Sequence, residues 1–287
     1  MLKKLAGSIR EYKKQTILTP VVMIGEVALE VIIPFLMASL IDKGIDMGDF
    51  GYIVKMGITL IGCALVSLLF GFLGGKFGAE ASAGFAKNLR HDMYYKVQGY
   101  SFSNIDKFST ASIVTRLTSD VQRLQMSYQM MIRMAIRSPM MLIFATIMAF
   151  SINSKMALIF VTVIPVLAIG LYFIMTRAHK YFKRVFKFYD RLNLVVQENL
   201  RGIRVVKTFN REEVEKQKFN EASGDIYENF VKAEKLLAFN SPLMQFCVYT
   251  CVILISWIGA RLIVNSGGSD FTTGELMSMF KIGRAHV

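Results

Sequence analysis

Residues 52–75 read YIVKMGITLIGCALVSLLFGFLGG, and Lys55 is the only charged residue among them. A helix needs about 20 consecutive apolar residues to cross the hydrocarbon core of a bilayer, and this run exceeds that length. Helices of soluble globular proteins average only about 10–14 residues. The run therefore predicts a transmembrane helix.

Four further stretches have the same character. The chain of 287 residues is 53% hydrophobic and 19% charged, which is more apolar than an ordinary soluble domain. We expect an all-α, polytopic membrane protein with five complete spans and the start of a sixth helix at Glu275. Besides 52–75, the predicted spans are 15–41, 138–154, 156–176 and 236–260.

The basic residues follow the order of the spans. A net charge of +13 would suggest nucleic acid in a soluble protein, but here Lys and Arg concentrate in 1–14, 76–123 and 177–235. Connections rich in Lys and Arg stay on the cytoplasmic side of a membrane. The pattern predicts a multi-pass protein of the plasma membrane with a cytoplasmic N-terminus, and no nucleic-acid partner.

The two basic segments between spans are long enough to need structure of their own. Residues 76–98 and 177–199 contain no proline, and their apolar residues recur at helical spacing. Each span is therefore predicted to continue out of the membrane as a helix, to turn, and to return through 110–137 or 212–235. The result is two helical hairpins with short tips.

Three motifs stand at the hairpin tips and in the first span. Residues 115–121 read TRLTSDV, after the first hairpin tip, and residues 198–213 read ENLRGIRVVKTFNREE at the second. The third motif combines LEVIIPFLM at 29–37 with IDKGI at 41–45. Together, and in this order, they resemble motifs in the transmembrane domains of ABC exporters of the multidrug or lipid type. The resemblance extends from the N-terminus to about Met279.

The resemblance implies a six-helix membrane domain, here 1–281, that dimerises with a second ABC transmembrane subunit as a homodimer or a heterodimer. It implies that the fourth and fifth helices are exchanged across the dimer. It also implies a coupling helix at each hairpin tip, resting on nucleotide-binding domains. By motif position, the coupling residues are Asn104, Ile105, Asp106, Lys107 and Phe108, and Arg204, Val205, Val206, Lys207, Thr208, Phe209 and Asn210.

The sequence contains no ATP-binding motif. Residues 71–76 read GFLGGK, whereas a P-loop needs four residues between its glycines and a Ser or Thr after the Lys. ATP and Mg²⁺ are therefore implied for an ATPase domain absent from this chain. We expect no enzymatic activity of the chain itself, and an ATP-hydrolysing translocase as its full-length parent.

The end of the chain departs from the family pattern. Residues 282–287 resemble one reading frame of a sequencing adaptor, and we expect them to be a non-native tail in place of the rest of the sixth helix and the ATPase domain. The alternative is a separate membrane subunit that ends at this point.

Two carboxylates occupy the first predicted span. Glu26 and Glu30 lie one helical turn apart, and a carboxylate within a membrane normally faces a water-filled cavity or a partner. One hypothesis is that both line the transport pathway and favour cationic or polar cargo. The other is that they lie near the inner interface or pair with Arg or Lys of a neighbouring helix.

Small residues and methionines form two further patterns. Small side chains at every fourth position of the second span let another helix approach closely in lipid, and a sliding surface during transport is a second hypothesis for them. Methionines crowd the third span and its approach, where helix packing is the preferred interpretation and a surface for varied apolar ligands is the alternative. The small residues are Ser67, Gly71, Gly75, Ala79 and Ala83, with a second row of Gly74, Gly78, Ser82 and Ala86 beside them. The methionines are Met126, Met130, Met131, Met134, Met140, Met141 and Met148.

Together these features predict the membrane part of an ATP-driven exporter, with the bilayer around it and a small molecule, lipid or peptide as its substrate. A membrane-anchored sensor or scaffold that recruits a cytoplasmic partner is the alternative. Neither His91 nor His179 has acidic or Cys neighbours at ligand spacing, so no metal site is predicted.

Overall fold

The structure, a computed structural model, describes residues 5–101 and 108–285. All regular secondary structure in these two ranges is helical, which confirms the predicted fold class. In chain order the helices are α1 (Lys13–Leu40), α2 (Phe50–Gln98), α3 (Thr110–Thr115), α4 (Val121–Ile152), α5 (Ser154–Arg201), α6 (Ile203–Thr208), α7 (Glu212–Ala238), α8 (Asn240–Ser266) and α9 (Thr273–Ala285).

Five segments of the described chain are helical, long and apolar enough to cross a membrane. They are Gly7–Ile45, Phe50–Gln98, Thr110–Ile152, Ser154–Arg201 and Glu212–Ser266. The protein is a multi-pass membrane protein.

Two of the helices are much longer than a membrane crossing requires. α2 has 49 residues and α5 has 48. At 1.5 Å of rise per residue each is about 70 Å long, more than twice the roughly 30 Å of a hydrocarbon core. The predicted continuation of the second and fourth spans as uninterrupted helices is therefore confirmed.

Short polar residues separate the long helices. The side chain of Asp49 accepts a hydrogen bond from the backbone N–H of Tyr52 at 3.0 Å and caps α2. Asn153 likewise accepts from the N–H groups of Lys155 at 3.0 Å and Met156 at 3.2 Å. Asp and Asn are favoured N-caps because they satisfy otherwise free helix N–H groups. α4 and α5 are consequently joined by a single residue outside the helices.

The chain divides into two compact units. The first extends up to Ala157 and resumes at Ile255, and the second is Leu158–Leu254. Within the first unit, α1 packs along α2, α4 and α9. α1 is therefore the central helix of this unit.

The N-terminal end of the first unit is tied to the first hairpin. The hydroxyl of Ser8 donates to Asp92 Oδ2 at 3.1 Å, and the guanidinium of Arg10 pairs with the same carboxylate. Further along, the hydroxyls of Thr16 and Tyr128 share a hydrogen bond of 2.8 Å. A small apolar core lies next to these contacts and consists of Phe85, Ala86, Leu89 and Val121.

The second unit contains an antiparallel helical hairpin. Arg191 Nη1 of α5 donates to Asp225 Oδ2 of α7 at 3.2 Å. Nearer the start of α5, the ring of Phe182 meets that of Phe230 edge-on, with centroids 6.0 Å apart. Because later residues of α7 meet earlier residues of α5, the chain returns along its own path, as predicted for 177–199 and 212–235.

Candidate functional site

One guanidinium of α4 bridges the two carboxylates of α1. Arg137 Nη1 donates to Glu26 Oε1 at 3.0 Å, and its Nη2 donates to Glu30 Oε1 at 2.7 Å. Positions four apart face the same side of a helix, so the fork of one Arg reaches both acids. This is the arrangement of the second hypothesis, a pair with a neighbouring helix. Whether the two acids also line a pathway remains a prediction.

Two cavities meet at Arg137. The methionine cavity has a volume of about 390 Å³, and the proline cavity has a volume of about 400 Å³. The methionine cavity is lined by Met23, Met126, Gln129, Met130, Arg133, Met134 and Arg137. The proline cavity is lined by Glu30, Val31, Pro34, Arg137, Met141, Ala145, Lys281 and Ile282.

Small residues of α2 allow α1 and α4 to approach closely beside these cavities. A Cβ atom on Gly74 would lie 2.6 Å from Met23 Cε, and one on Gly78 would lie 3.2 Å from Arg133 Cδ. Both glycines are buried. Larger side chains there would push Met23 and Arg133 out of place.

The row of small residues predicted for helix packing lies next to this buried row. A Cβ on Gly71 would be 3.5 Å from Glu26 Oε1, while one on Gly75 would meet nothing within 4 Å among the described residues. Ser67 is half-buried and Ala79 is exposed. Of the two glycines in this row, Gly71 lies against Glu26 of α1, and packing of the row against another helix remains a prediction.

The tip of the second hairpin is a short, isolated helix. Gly202 precedes α6, and Asn210 follows it with φ of +52°, a left-handed conformation that stops a helix. The predicted coupling residues 204–210 therefore lie on α6 and in the turn after it. Apolar side chains are prominent, with Val205 60% and Phe209 71% exposed.

A cavity of about 480 Å³ lies behind this tip, between α5, α6 and α7. Lys207 Nζ lies 3.4 Å from Glu212 Oε1 across the turn. The pKa of the Glu212 carboxyl is lowered, first by the backbone N–H of Glu212 itself and then by Lys207. Asn199 Nδ2 also donates to Glu215 at 3.4 Å. These polar contacts hold the turn between α6 and α7.

The first hairpin tip is described only at its end. The predicted coupling residues Asn104, Ile105, Asp106 and Lys107 lie outside the described residues. Phe108 stacks with Tyr100 at 6.2 Å between ring centroids and carries the guanidinium of Arg116 5.5 Å from its ring centre.

A cluster of contacts that was not predicted from the sequence joins the end of α1 to the start of α9 within the first unit. Asp42 accepts hydrogen bonds from Thr272 Oγ1 at 2.6 Å and from the Gly274 N–H at 2.8 Å. A Cβ on Gly274 would lie 2.4 Å from the carbonyl oxygen of Ala38. Thr272 and Glu275 cap α9 reciprocally, with side-chain to backbone distances of 3.0 and 3.1 Å. That capping box was readable in the sequence, since Thr and Glu stand three apart.

Comparison with known proteins supplies the family context. Residues 16–281 match the family model of the ABC transporter transmembrane region. The chain is 29% identical over 264 residues to the uncharacterised ABC transporter ATP-binding protein YfiB of Bacillus subtilis, covering 92% of this chain and 46% of the relative. It is 26% identical over 289 residues to YknU of the same organism, covering 98% and 47%.

A third relative has a more specific name. The ATP-dependent lipid A-core flippase of Pseudomonas syringae pv. tomato is 24% identical over 207 residues, covering 72% of this chain and 34% of the flippase. The chain thus spans about half the length, or less, of the curated relatives it matches.

Proposed function

Because this chain belongs to the ABC transporter transmembrane family, we propose that it forms the translocation pathway of an ATP-driven exporter in the plasma membrane. ATP would bind with Mg²⁺ in nucleotide-binding domains outside this chain.

Energy would enter through the hairpin tips. Val205 on α6 and Phe209 at its end are exposed to solvent. Exposed apolar residues at a loop tip are typical of a protein contact. An aromatic side chain that fills a pocket of a partner often contributes most of the local binding energy. The exposed Phe209 at the end of α6 is the observation that carries this assignment.

The long helices suit the transmission of that movement. α2 and α5 each continue without interruption from the predicted span to a hairpin tip. A continuous helix moves as a rigid element, so displacement of a tip by an ATPase domain would shift the membrane end of the same helix. The N-terminus and both tips would then face the cytoplasm.

The division of the chain supports a dimer with exchanged helices. The second unit, Leu158–Leu254, contains most of the predicted fourth and fifth spans, 156–176 and 236–260, together with the second hairpin. A compact hairpin with its own internal contacts is suited to packing against a second transmembrane subunit. The partner would be another copy of this chain or a related subunit.

Transport itself is the direct test. The complete protein, including its ATPase domain, would be expressed in cells from which inside-out vesicles are made. We expect ATP to drive uptake of a fluorescent lipid or other fluorescent amphiphile, and we expect a variant that lacks the P-loop lysine to show none. ATP hydrolysis that is insensitive to every amphiphile, without any uptake, would favour the sensor or scaffold alternative.

A further inference from the structure

Resting on the proposed function, we propose that the methionine cavity binds the anionic head of an amphiphile. The charge of the cavity carries this inference. Among the residues that the structure describes, its polar lining consists of Arg133, Arg137 and Gln129 and includes no carboxylate. The substrate is thus a molecule with a phosphate, sulfate or carboxylate head and an apolar tail, the opposite charge to the cationic cargo considered from the sequence.

The second arginine of the cavity is available for a ligand. Arg137 is engaged by both Glu26 and Glu30. Arg133, one turn earlier on α4, makes no ion pair within the described residues, and its side chain is half-buried. A guanidinium in such a position attracts an anion strongly, because it presents several N–H donors in a plane that matches an oxyanion.

The carboxylates are poorly placed to receive a cation. Glu26 lines neither cavity, and its Oε1 already accepts from Arg137. Its Oε2 is buried without a hydrogen-bond partner in the described structure, next to Gly71 of α2. Glu30 also bonds to Arg137, and within 5–101 and 108–285 it is the only acid that lines either cavity. A cationic ligand would therefore have to displace Arg137 from both acids.

The position of the arginines suits a molecule that lies in a bilayer leaflet. Arg133 and Arg137 immediately precede the predicted span 138–154, where long basic side chains reach the interface between hydrocarbon and water. α4 then continues past Met141 and Ala145, which line the proline cavity. A head held at Arg133 would allow its tail to extend past Arg137 along the apolar residues of that cavity.

The remaining lining explains why the tail would be recognised loosely. Four methionines surround the head site. Unbranched thioether side chains adapt to ligands of different shape. We therefore expect the sign of the head charge to matter strongly and the length of the tail to matter little.

The test compares two photoreactive probes with the same tail and oppositely charged heads, a dodecyl phosphate and a dodecyltrimethylammonium, each with a diazirine at the tail end. The protein is placed in phosphatidylcholine nanodiscs without ATP, and the labelled fraction is measured by intact-protein mass spectrometry over a range of probe concentrations. We expect half-saturation for the phosphate at a concentration at least about tenfold lower than for the ammonium, as for loss of a charge-assisted hydrogen bond. Equal labelling by both probes, or preference for the ammonium, overturns the proposal.

Variants of one helix locate the effect. Arg133→Gln should raise the half-saturating concentration of the phosphate probe about tenfold, whereas Arg133→Lys keeps the charge and should recover most of the loss. Arg123→Gln is the matched control, because Arg123 is an exposed arginine of α4 that lines neither cavity. An equal loss in both Gln variants, or none in Arg133→Gln, contradicts the assignment.

Competitors identify the source of the ligand. If the amphiphile enters from the bilayer, phosphatidylglycerol in the disc should reduce labelling by the phosphate probe. If the amphiphile enters from water, this lipid should leave the labelling unchanged. Both results are consistent with the site and differ only in the source of the ligand. Inorganic phosphate at millimolar concentration should not compete, and full competition by it would overturn the need for a tail. The labelling test uses no ATP and is therefore independent of transport. Vesicle transport without any anion preference contradicts only this inference, whereas anion binding without transport contradicts only the proposed function.

Discussion

Asp42 and Thr272 stand 230 residues apart in the chain, and a hydrogen bond of 2.6 Å joins their side chains. The second oxygen of Asp42 accepts from the Gly274 N–H at 2.8 Å, so one carboxylate satisfies a hydroxyl and a free N–H at the start of α9. A negative charge at a helix N-terminus is also favoured by the helix dipole. This contact links the end of the first span to the start of the sixth helix.

Replacement of Asp42 should loosen that link. Asp42→Ala leaves the Thr272 hydroxyl and the Gly274 N–H without their partner, at a cost of about 1–3 kcal/mol. We expect a lower thermal unfolding midpoint for the protein in nanodiscs. Asp46→Ala is the control, because Asp46 is exposed and accepts a single hydrogen bond, from Thr273 at 2.9 Å. Equal midpoints for the two variants would contradict the role of Asp42.

The bridge at Arg137 predicts a rescue. Arg137→Gln leaves two carboxylates unpaired. Removing one partner of a fully buried pair typically lowers the free energy of unfolding by roughly 3–5 kcal/mol, and we expect a smaller loss of about 2 kcal/mol because this guanidinium is 36% exposed. Adding Glu26→Gln and Glu30→Gln to Arg137→Gln should restore most of the stability, measured by thermal unfolding. A triple variant less stable than the single one would mean that the charges are not the reason for the loss.

Coupling at the second tip can be tested with two aromatic residues of equal exposure. In the complete protein, Phe209→Ala should abolish stimulation of ATP hydrolysis by substrate while ATP binding is retained, because it removes the side chain that would anchor α6. Tyr227→Ala is the control, since Tyr227 lies on α7 away from the tip and is 70% exposed against 71% for Phe209. Stimulation that survives in Phe209→Ala, or is lost in both, would refute the assignment. For the first tip, Ile105→Asp should have the same effect as Phe209→Ala.

Orientation can be measured by thiol labelling of intact cells. In a variant without Cys63, Cys247 and Cys251, a single cysteine at Thr208 should resist a membrane-impermeant reagent, and one at Ser269 should react. Thr208 lies on α6, and Ser269 is exposed in the turn before α9. Labelling of Thr208→Cys from outside would reverse the topology.

Hydropathy and charge were sufficient to predict the long helices of this protein. Apolar runs and the absence of proline in 76–98 and 177–199 predicted α2 and α5 as continuous helices, because both signals act locally along the chain. The segment predicted as the second coupling helix, 204–210, overlaps α6, which begins one residue earlier, at Ile203, and ends at Thr208. Its role in coupling remains a prediction.

Contacts between helices were less accessible, because they depend on how each helix is rotated about its axis. Two rows of small residues stand side by side on α2, and composition does not distinguish the buried row of Gly74 and Gly78 from the row of Gly75 and Ala79. The sequence likewise did not decide whether Glu26 lines a transport pathway, or lies near the inner interface or pairs with a basic residue of a neighbouring helix. Only the facing positions of α1 and α4 bring Arg137 within 3.0 Å of it.

The hydrogen bond of Asp42 also imposes an order on biosynthesis. Ribosomes add about 5–20 residues per second, so Thr272 emerges roughly 10–50 s after Asp42. During that interval the end of α1 has neither the hydroxyl nor the helix N-terminus that satisfies its carboxylate. The entire second unit is made in the meantime. Synthesis of the first unit therefore begins before that of the second and ends after it, and a nascent chain halted within α8 would leave the Asp42 carboxylate without these two partners.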